Sequence, residues 1–189
     1  PAMIERARQR YPDAQFEVRD GAALRVPEAA FDLVFCTGVL LHNPNYREMI
    51  AELYRAAAVG CVIDLPRLTA MPYTFDRASA YTVLKQRFGI QEGTLDAQQT
   101  TVPYIVAQAQ PLFELLCHGL HPTPRVVVAV GYYGDVHPAV VLPFRQACFC
   151  VVYLAKGGYE TRRSTVLLDL PDDIRATISL TDVELAAGG

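Results

Sequence analysis

Two short stretches of this 189-residue chain place polar groups where they could recognise a small ligand. In the first stretch, Asp20 and Gly21 close the segment "FEVRDG". A carboxylate in this position can accept a hydrogen bond from an exocyclic amine, and the following backbone N–H can donate to a ring nitrogen. This combination would recognise an adenine. The same two residues are equally typical of a simple turn, and the spacing alone leaves both interpretations open.

The second stretch is "FDLVFCTGVLLH", in which a continuous apolar run ends at Cys36, Thr37 and Gly38. In open parallel sheets, ligands bind outside the carboxyl ends of the strands. A glycine at such an end allows the backbone to approach a ligand closely. The sequence therefore predicts that these residues line the same sheet edge as Asp20, with the two strand ends opening onto one hollow of nucleoside size.

Three further groups of side chains could act on a second molecule at this edge. His42 is the best-placed general base, because a histidine side chain can take up a proton near neutral pH; the alternative is that it only holds the turn by a hydrogen bond. Tyr132, Tyr133 and His137 in "GYYGDVHP" could wall a pocket, or the tyrosines could pack against helices. Tyr73, after "IDLPRL", could contribute to a lid, although aromatic residues at such spacing are more often in the core.

The elements that must position these residues alternate between helix and strand. Helical spacing over residues 1–11 precedes a short strand around residues 16–18, and "FDLVFC" and "VGCVIDLP" are strands of the kind that are buried in parallel sheets. Between them "NPNYREMIAELYRAAA" is helical, with Asn43 or Asn45 as its cap. Helices in "FDRASAYTVLKQRFG" and "AQPLFELLCHGL", strands in "RVVVAV" and "QACFCVVYLA", and a loop in "GYYGDVHPAVVLPF" follow. This order predicts an α/β fold.

Composition excludes several classes of function. The net charge is −3 and the basic residues are scattered, which argues against a nucleic-acid groove. No apolar run approaches the roughly 20 residues of a membrane-spanning helix. Five cysteines lie mostly inside apolar runs without the spacing of a zinc site, so no metal is predicted. Buried free thiols of this kind are typical of a reducing cytoplasm, which is the expected location.

The stretch "PAMIERARQRYPDAQFEVRDGAALRVPEAAFDLVFCTGVLLHNPN" resembles the middle of class I S-adenosylmethionine-dependent methyltransferases, in the ubiquinone/menaquinone-biosynthesis-like "methyltransferase type 11" group. The specific motifs cover about residues 1–65, and a compatible topology continues to 157. The resemblance implies a Rossmann-like, mostly parallel sheet that ends in an antiparallel hairpin formed by "RVVVAVGYYG" and "ACFCVVYLAKG". It divides the chain into a methyltransferase domain, 1–157, and a β-like extension, 158–189, that could be a linker or the start of another element.

The resemblance also implies S-adenosyl-L-methionine as cofactor and assigns roles to residues at matching positions. One set would bind the adenine: Asp20 at its amino group, Gly21 through its backbone, and Ala22 at the ring edge. A second set would line the methionine and ribose portions of the cofactor: Cys36, Thr37 and Gly38. Leu41 and His42 match the turn between the cofactor and the methyl acceptor.

One departure from the family is large, because the glycine-rich loop "D-x-G-C-G-x-G" and the acidic ribose ligand that follows it are missing. We therefore expect a βα unit before residue 1, so that the fold is N-terminally incomplete and the isolated chain binds cofactor poorly. Strand surfaces left exposed would favour association, including a homo-oligomer.

The expected function is methyl transfer to a small-molecule acceptor. A non-catalytic scaffold in a larger protein is an alternative. A nicotinamide-dependent oxidoreductase is another, although the chain lacks its Gly-x-Gly-x-x-Gly turn.

Overall fold

The computed structural model of the chain describes residues 2–70, 104–136, 145–157 and 163–186. The helix predicted in "FDRASAYTVLKQRFG" lies outside the described residues, as do two predicted site residues, Tyr73 and His137. The remaining predicted site residues all lie within the described ranges.

The first half of the described chain contains helix α1, Ala2–Arg10, and a β-α-β unit. Strand β1, Phe31–Cys36, leads through a 3-10 turn, Leu40–His42, into helix α2, Tyr46–Ala56. Strand β2, Ala57–Asp64, follows α2 directly. The strand–helix–strand order predicted for this region is therefore confirmed.

The second half supplies the other strands and two short helices. In chain order these elements are β3, Arg67–Thr69; β4, Val106–Gln108; α3, Ala109–Glu114, continued by a π-helical turn, Leu115–Gly119; β5, Val126–Asp135; β6, Gln146–Ala155; β7, Ser164–Asp169; α4, Asp172–Ala176; and β8, Val183–Leu185.

The described strands form one mixed sheet in the order β1-β2-β6-β5-β7-β8, with β3 paired to β6 and β4 to β3. The pairs β1–β2, β3–β4, β5–β7 and β7–β8 are parallel, whereas β6 runs antiparallel to β2, β3 and β5. The predicted Rossmann-like α/β fold with an antiparallel hairpin, β5–β6, is confirmed. The β-like runs predicted after residue 157 join this same sheet as β7 and β8, and a further element that begins there stays a prediction.

Helix α2 shows why the sequence folds as it does. Its buried side chains recur at helical spacing and form one apolar face, which packs on β1 and β2: Tyr46, Met49, Ile50, Leu53 and Tyr54. Asn45 occupies the N-cap position without a side-chain cap, and Asn43 Oδ1 instead accepts the Asn45 N–H at 2.9 Å. Both predicted capping residues therefore contribute to the turn, but neither caps the helix by its side chain.

The two faces of the sheet differ. Buried residues of β1, β2 and β6 point to the face that carries α2: Cys36, Cys61, Ile63, Cys150 and Val152. The other face places Phe35, which is 67% exposed, in register with Val62 and Tyr153. In the described part of the chain β1 pairs with β2 alone, so its second edge has no partner strand there.

Two expectations about local structure are wrong. No strand forms around Phe16 and Val18; Asp20 makes an isolated bridge to Ala23 instead. A strand needs a neighbour that accepts its backbone hydrogen bonds, and no described strand pairs with this segment. The start of the predicted loop, Gly131–Asp135, instead continues β5, because β6 pairs with it as far as Asp135↔Gln146. The resemblance had anticipated this longer strand to within one residue.

Candidate functional site

Asp20 lies in a turn on the protein surface. Its Oδ1 accepts the Ala22 N–H at 3.0 Å, and its carbonyl oxygen accepts the Ala23 N–H at 3.1 Å. This is the Asx-type turn that the Asp-Gly pair also predicted. The carboxylate remains exposed, so it can still accept a hydrogen bond from a ligand amine. The Ala22 N–H is already used within the turn.

The turn is anchored to helix α2. Leu24 N–H donates to Glu52 Oε2 at 3.1 Å. Hydrogen bonds from Arg55 hold the pKa of the Glu52 carboxyl below its usual range. Gly21 lies against the end of the Met49 side chain of α2, a flexible side chain that could move aside for a Cβ.

A hollow of about 400 Å³ lies beside this turn and is lined by Glu17, Val18, Arg19, Asp20, Ala23, Leu24 and Arg25. Its volume falls within the roughly 300–1,000 Å³ that small-ligand sites occupy. Cys36, Thr37 and Gly38 do not line it. Asp20 therefore lines this hollow. The end of β1, which was expected to line it as well, does not.

The three residues at the end of β1 have different environments. Cys36 is buried on the α2 face, and burial raises the pKa of its thiol, with a further rise from the Asp64 carboxylate. Thr37 and Gly38 are exposed. Gly38 has a φ of +69°, a conformation that favours glycine, and no atom lies within 4 Å of a Cβ placed there. Open space at a strand end is the geometry that the sequence predicted for Gly38.

Leu41 and His42 form the 3-10 turn that follows. Leu41 is buried, and its carbonyl oxygen accepts the Ile105 N–H at 2.7 Å, which ties the turn to the start of β4. His42 is half-buried and lies edge-on to Tyr104, with 6.2 Å between the ring centroids. Leu41 therefore belongs to the core. The His42 imidazole is half-buried and lies beside Tyr104, just before β4.

Tyr132 and Tyr133 lie on opposite faces of β5, because successive strand residues alternate. Tyr132 stacks on Phe149 with 5.6 Å between ring centroids. Tyr133 donates a hydrogen bond from its hydroxyl to Asp173 Oδ2 at 2.5 Å. Burial raises the Tyr133 pKa, and Asp173 raises it further. The prediction that both tyrosines wall one pocket does not match this geometry.

The structure adds two residues at the carboxyl end of β2 that the sequence reasoning missed. Asp64 Oδ2 accepts the Gly38 N–H at 3.3 Å, and Asp64 Oδ1 lies 3.6 Å from Nη1 of Arg67. The Arg67 guanidinium carbon lies 3.6 Å from the centroid of the Phe149 ring. A signal was present, since "VIDLPRL" places an acidic and a basic residue directly after a buried strand.

Arg67 is unusual because it is charged and buried, with 8% of its surface exposed. Its Nε and Nη1 atoms are buried and have no hydrogen-bond partner in the described ranges. An unsatisfied buried donor costs about 1–3 kcal/mol, and more when it is charged. A separation of 3.6 Å from Asp64 is too long for a hydrogen bond.

All five cysteines are free and buried, as predicted. Cys148 and Cys150 both lie on the covered face of β6. Within the described residues, no group of three His, Cys, Asp or Glu side chains is arranged to hold a metal ion. None of the helices described has both the length and the apolar character needed to cross a bilayer.

Comparison with known proteins identifies relatives of the first third of the chain. Residues 1–63 match the family model described as "Methyltransferase domain". Over 64 residues the chain is 36% identical to the trans-aconitate 2-methyltransferase of Variovorax paradoxus (strain S110), and this alignment covers 34% of the chain. The aligned part spans 25% of that curated relative.

Proposed function

We propose that the protein transfers a methyl group from S-adenosyl-L-methionine to a small-molecule acceptor. The first third of the chain is related to methyltransferases, as its motifs predicted. The observation that carries this proposal is the match of residues 1–63 to a methyltransferase domain. The sheet supports it, since β1 and β2 are parallel neighbours whose carboxyl ends lie side by side. We place the activity in the cytoplasm, which the five free thiols favour.

We assign the adenine end of the cofactor to the Asp20 turn. Asp20 fits this role, because its carboxylate is exposed beside a hollow of suitable volume. Gly21 and Ala22 fit it less well through their backbone, since Gly21 packs against Met49 and the Ala22 N–H donates to Asp20. In this role Asp20 accepts a hydrogen bond from the adenine amino group.

We assign the methionine and ribose portions to the end of β1, where Thr37 and Gly38 are exposed. When bound, the cofactor supplies an activated methyl group, so the protein mainly positions the acceptor and excludes water. His42 is the proposed base that takes a proton from an oxygen or nitrogen acceptor. Its half-buried position in the turn after β1 supports this role.

A binding experiment tests the cofactor. We expect calorimetric titration of the full-length protein to detect S-adenosyl-L-methionine binding and no NAD binding, while the reverse result would favour the nicotinamide-dependent alternative. Asp20→Ala should weaken cofactor binding by roughly 1–3 kcal/mol, because it removes an acceptor for the amino group. Asp13→Ala, an exposed acidic residue outside the turn, is the matched control. Equal affinity in the Asp20 and Asp13 variants would remove Asp20 from the site.

A transfer experiment tests the acceptor. The named relative is a trans-aconitate 2-methyltransferase, so trans-aconitate is the first acceptor to incubate with methyl-labelled cofactor. We expect label in a small-molecule product. A carboxylate acceptor such as trans-aconitate is already ionised and needs no base, so His42→Gln is tested with an acceptor that carries an O–H or N–H, where it should slow transfer without weakening cofactor binding. Equal transfer rates with His42→Gln would exclude it as the base.

A non-catalytic scaffold is the second candidate. One observation favours it: the hollow beside Asp20 is not lined by Cys36, Thr37 or Gly38. A scaffold would bind neither S-adenosyl-L-methionine nor S-adenosylhomocysteine. The calorimetric titration therefore separates the two candidates.

A further inference from the structure

We propose that Arg67 binds a carboxylate group of a small ligand beside the carboxyl ends of β1 and β2. The inference rests on the proposed function, since that function supplies two sources of such a group: the methyl acceptor and the methionine portion of the cofactor. Arg67 matched no motif in the sequence and belongs to none of the residues assigned above.

The first observation is that the guanidinium needs an acceptor. Nε carries one N–H and Nη1 carries two, so three of the five donors of Arg67 have no partner in the part of the chain that the structure describes. Buried donors in native proteins are almost always hydrogen-bonded. A ligand oxygen is the kind of acceptor that would complete this set.

The second observation is the surroundings of the guanidinium. Asp64 lies within ion-pair distance of Arg67 but makes its hydrogen bond to Gly38. The Phe149 ring covers one face of the guanidinium, and Tyr132, which is 65% exposed, stacks on Phe149 from the far side. An apolar cover of this kind strengthens a charge-assisted hydrogen bond by excluding water.

The third observation is the position of this group in the fold. Phe149 and Tyr132 face the side of the sheet opposite α2, and Arg67 lies against Phe149 on that side. One tenth of the Arg67 side chain remains accessible. Nε and Nη1 themselves are buried, so a ligand that approaches over the ends of β1 and β2 reaches them only after a neighbouring side chain moves.

The chemistry favours a carboxylate over other ligands. A planar guanidinium matches the geometry of carboxylate oxygens. Asp64 already balances one charge, so a singly charged group adds less repulsion than a doubly charged phosphate. The expected ligand is therefore a small carboxylic acid anion.

The test uses the full-length protein and two carboxylate probes, citrate and S-adenosylhomocysteine, with inorganic phosphate for comparison. We expect Arg67→Met to weaken binding of at least one carboxylate probe by about tenfold or more. The unfolding midpoint without ligand should fall, because the variant leaves the partly buried Asp64 carboxylate without the charge that faces it and removes the contact with Phe149. Binding is therefore compared at a temperature at which both proteins are folded. Arg145→Met, at an exposed arginine, is the matched control and should bind both probes normally.

The two probes distinguish the sources of the carboxylate. A loss confined to citrate identifies the acceptor as the source, and a loss confined to S-adenosylhomocysteine identifies the cofactor. Citrate binding that depends on Arg67, in a chain that does not bind S-adenosylhomocysteine, supports the inference and contradicts the proposed methyl transfer. S-adenosylhomocysteine binding that Arg67→Met leaves unchanged, without citrate binding, overturns the inference and leaves the proposed function standing.

A second variant keeps the test decisive if Arg67→Met does not fold. Arg67→Lys retains the charge and loses the planar set of donors, so it should still weaken the carboxylate probe several-fold. Equal binding of both probes by Arg67→Lys and the unmodified chain would overturn the inference. The same holds if neither carboxylate probe binds, or if phosphate binds more tightly than either of them.

Discussion

The backbone N–H of Gly38 donates a hydrogen bond to Oδ2 of Asp64 across 3.3 Å, which joins the end of β1 to the last residue of β2. The other carboxylate oxygen of Asp64 faces Arg67. This one side chain therefore links the predicted cofactor edge at Gly38 to the buried guanidinium. Gly38, Asp64 and Arg67 therefore form one polar cluster beside the carboxyl ends of β1 and β2.

Replacing Gly38 by alanine should lower the free energy of unfolding by about 1 kcal/mol. The penalty comes from the backbone, since φ is +69° and a Cβ would contact no atom within 4 Å. Urea unfolding measures the change. Thr37→Ala, at the exposed neighbour without a positive φ, is the control and should stay within about 0.5 kcal/mol of the unmodified chain. Equal stability of Gly38→Ala would contradict the assigned backbone conformation.

Asp64→Asn should also destabilise the chain, by about 1–2 kcal/mol, because it removes the negative charge that faces buried Arg67. The amide oxygen can still accept the Gly38 N–H, so the loss reports the charge. Adding Arg67→Met should recover most of the stability, and a double-mutant cycle measures this coupling. Strictly additive effects of the two substitutions would show that these side chains do not interact.

The fold of the β-α-β unit could be predicted because local pattern and tertiary environment agree there. "FDLVFC" and "AAVGCVID" are apolar strands, and the side chains of α2 repeat at helical spacing toward the sheet. The hairpin β5–β6 could be anticipated for the same reason, since both segments are apolar and of strand length. In these segments each level of structure favours the same conformation.

Other features depend on partners that a single segment does not reveal. Phe16 and Val18 alternate with polar residues, yet a strand forms only beside a neighbouring strand. The opposite orientations of Tyr132 and Tyr133 follow from the length of β5, which pairing with β6 determines. Arg67 meets Phe149 through a distant strand, so its burial could not be derived from "DLPRL".

Tyr133→Phe should lower the free energy of unfolding by about 1 kcal/mol, because it removes a hydrogen bond to the Asp173 carboxylate at a partly exposed position. Tyr132→Phe retains the ring that stacks on Phe149 and is the matched control, with little expected change. Chemical denaturation of the two variants gives the comparison. A larger loss for Tyr132→Phe than for Tyr133→Phe would contradict the assignment of this hydrogen bond to Tyr133.

The buried thiols should make the protein less stable above about pH 9. Burial raises the pKa of Cys61 and Cys117 to about 12 from the ordinary 9.0. In that window the folded state keeps protons that the unfolded state has lost, so stability falls as pH rises, by at most about 1.4 kcal/mol per pH unit for each thiol. Urea midpoints at about pH 8 and about pH 10 measure this slope. In Cys117→Ala the stability should fall less steeply with pH, because one titrating thiol has been removed. An unchanged dependence of stability on pH would show that Cys117 does not contribute.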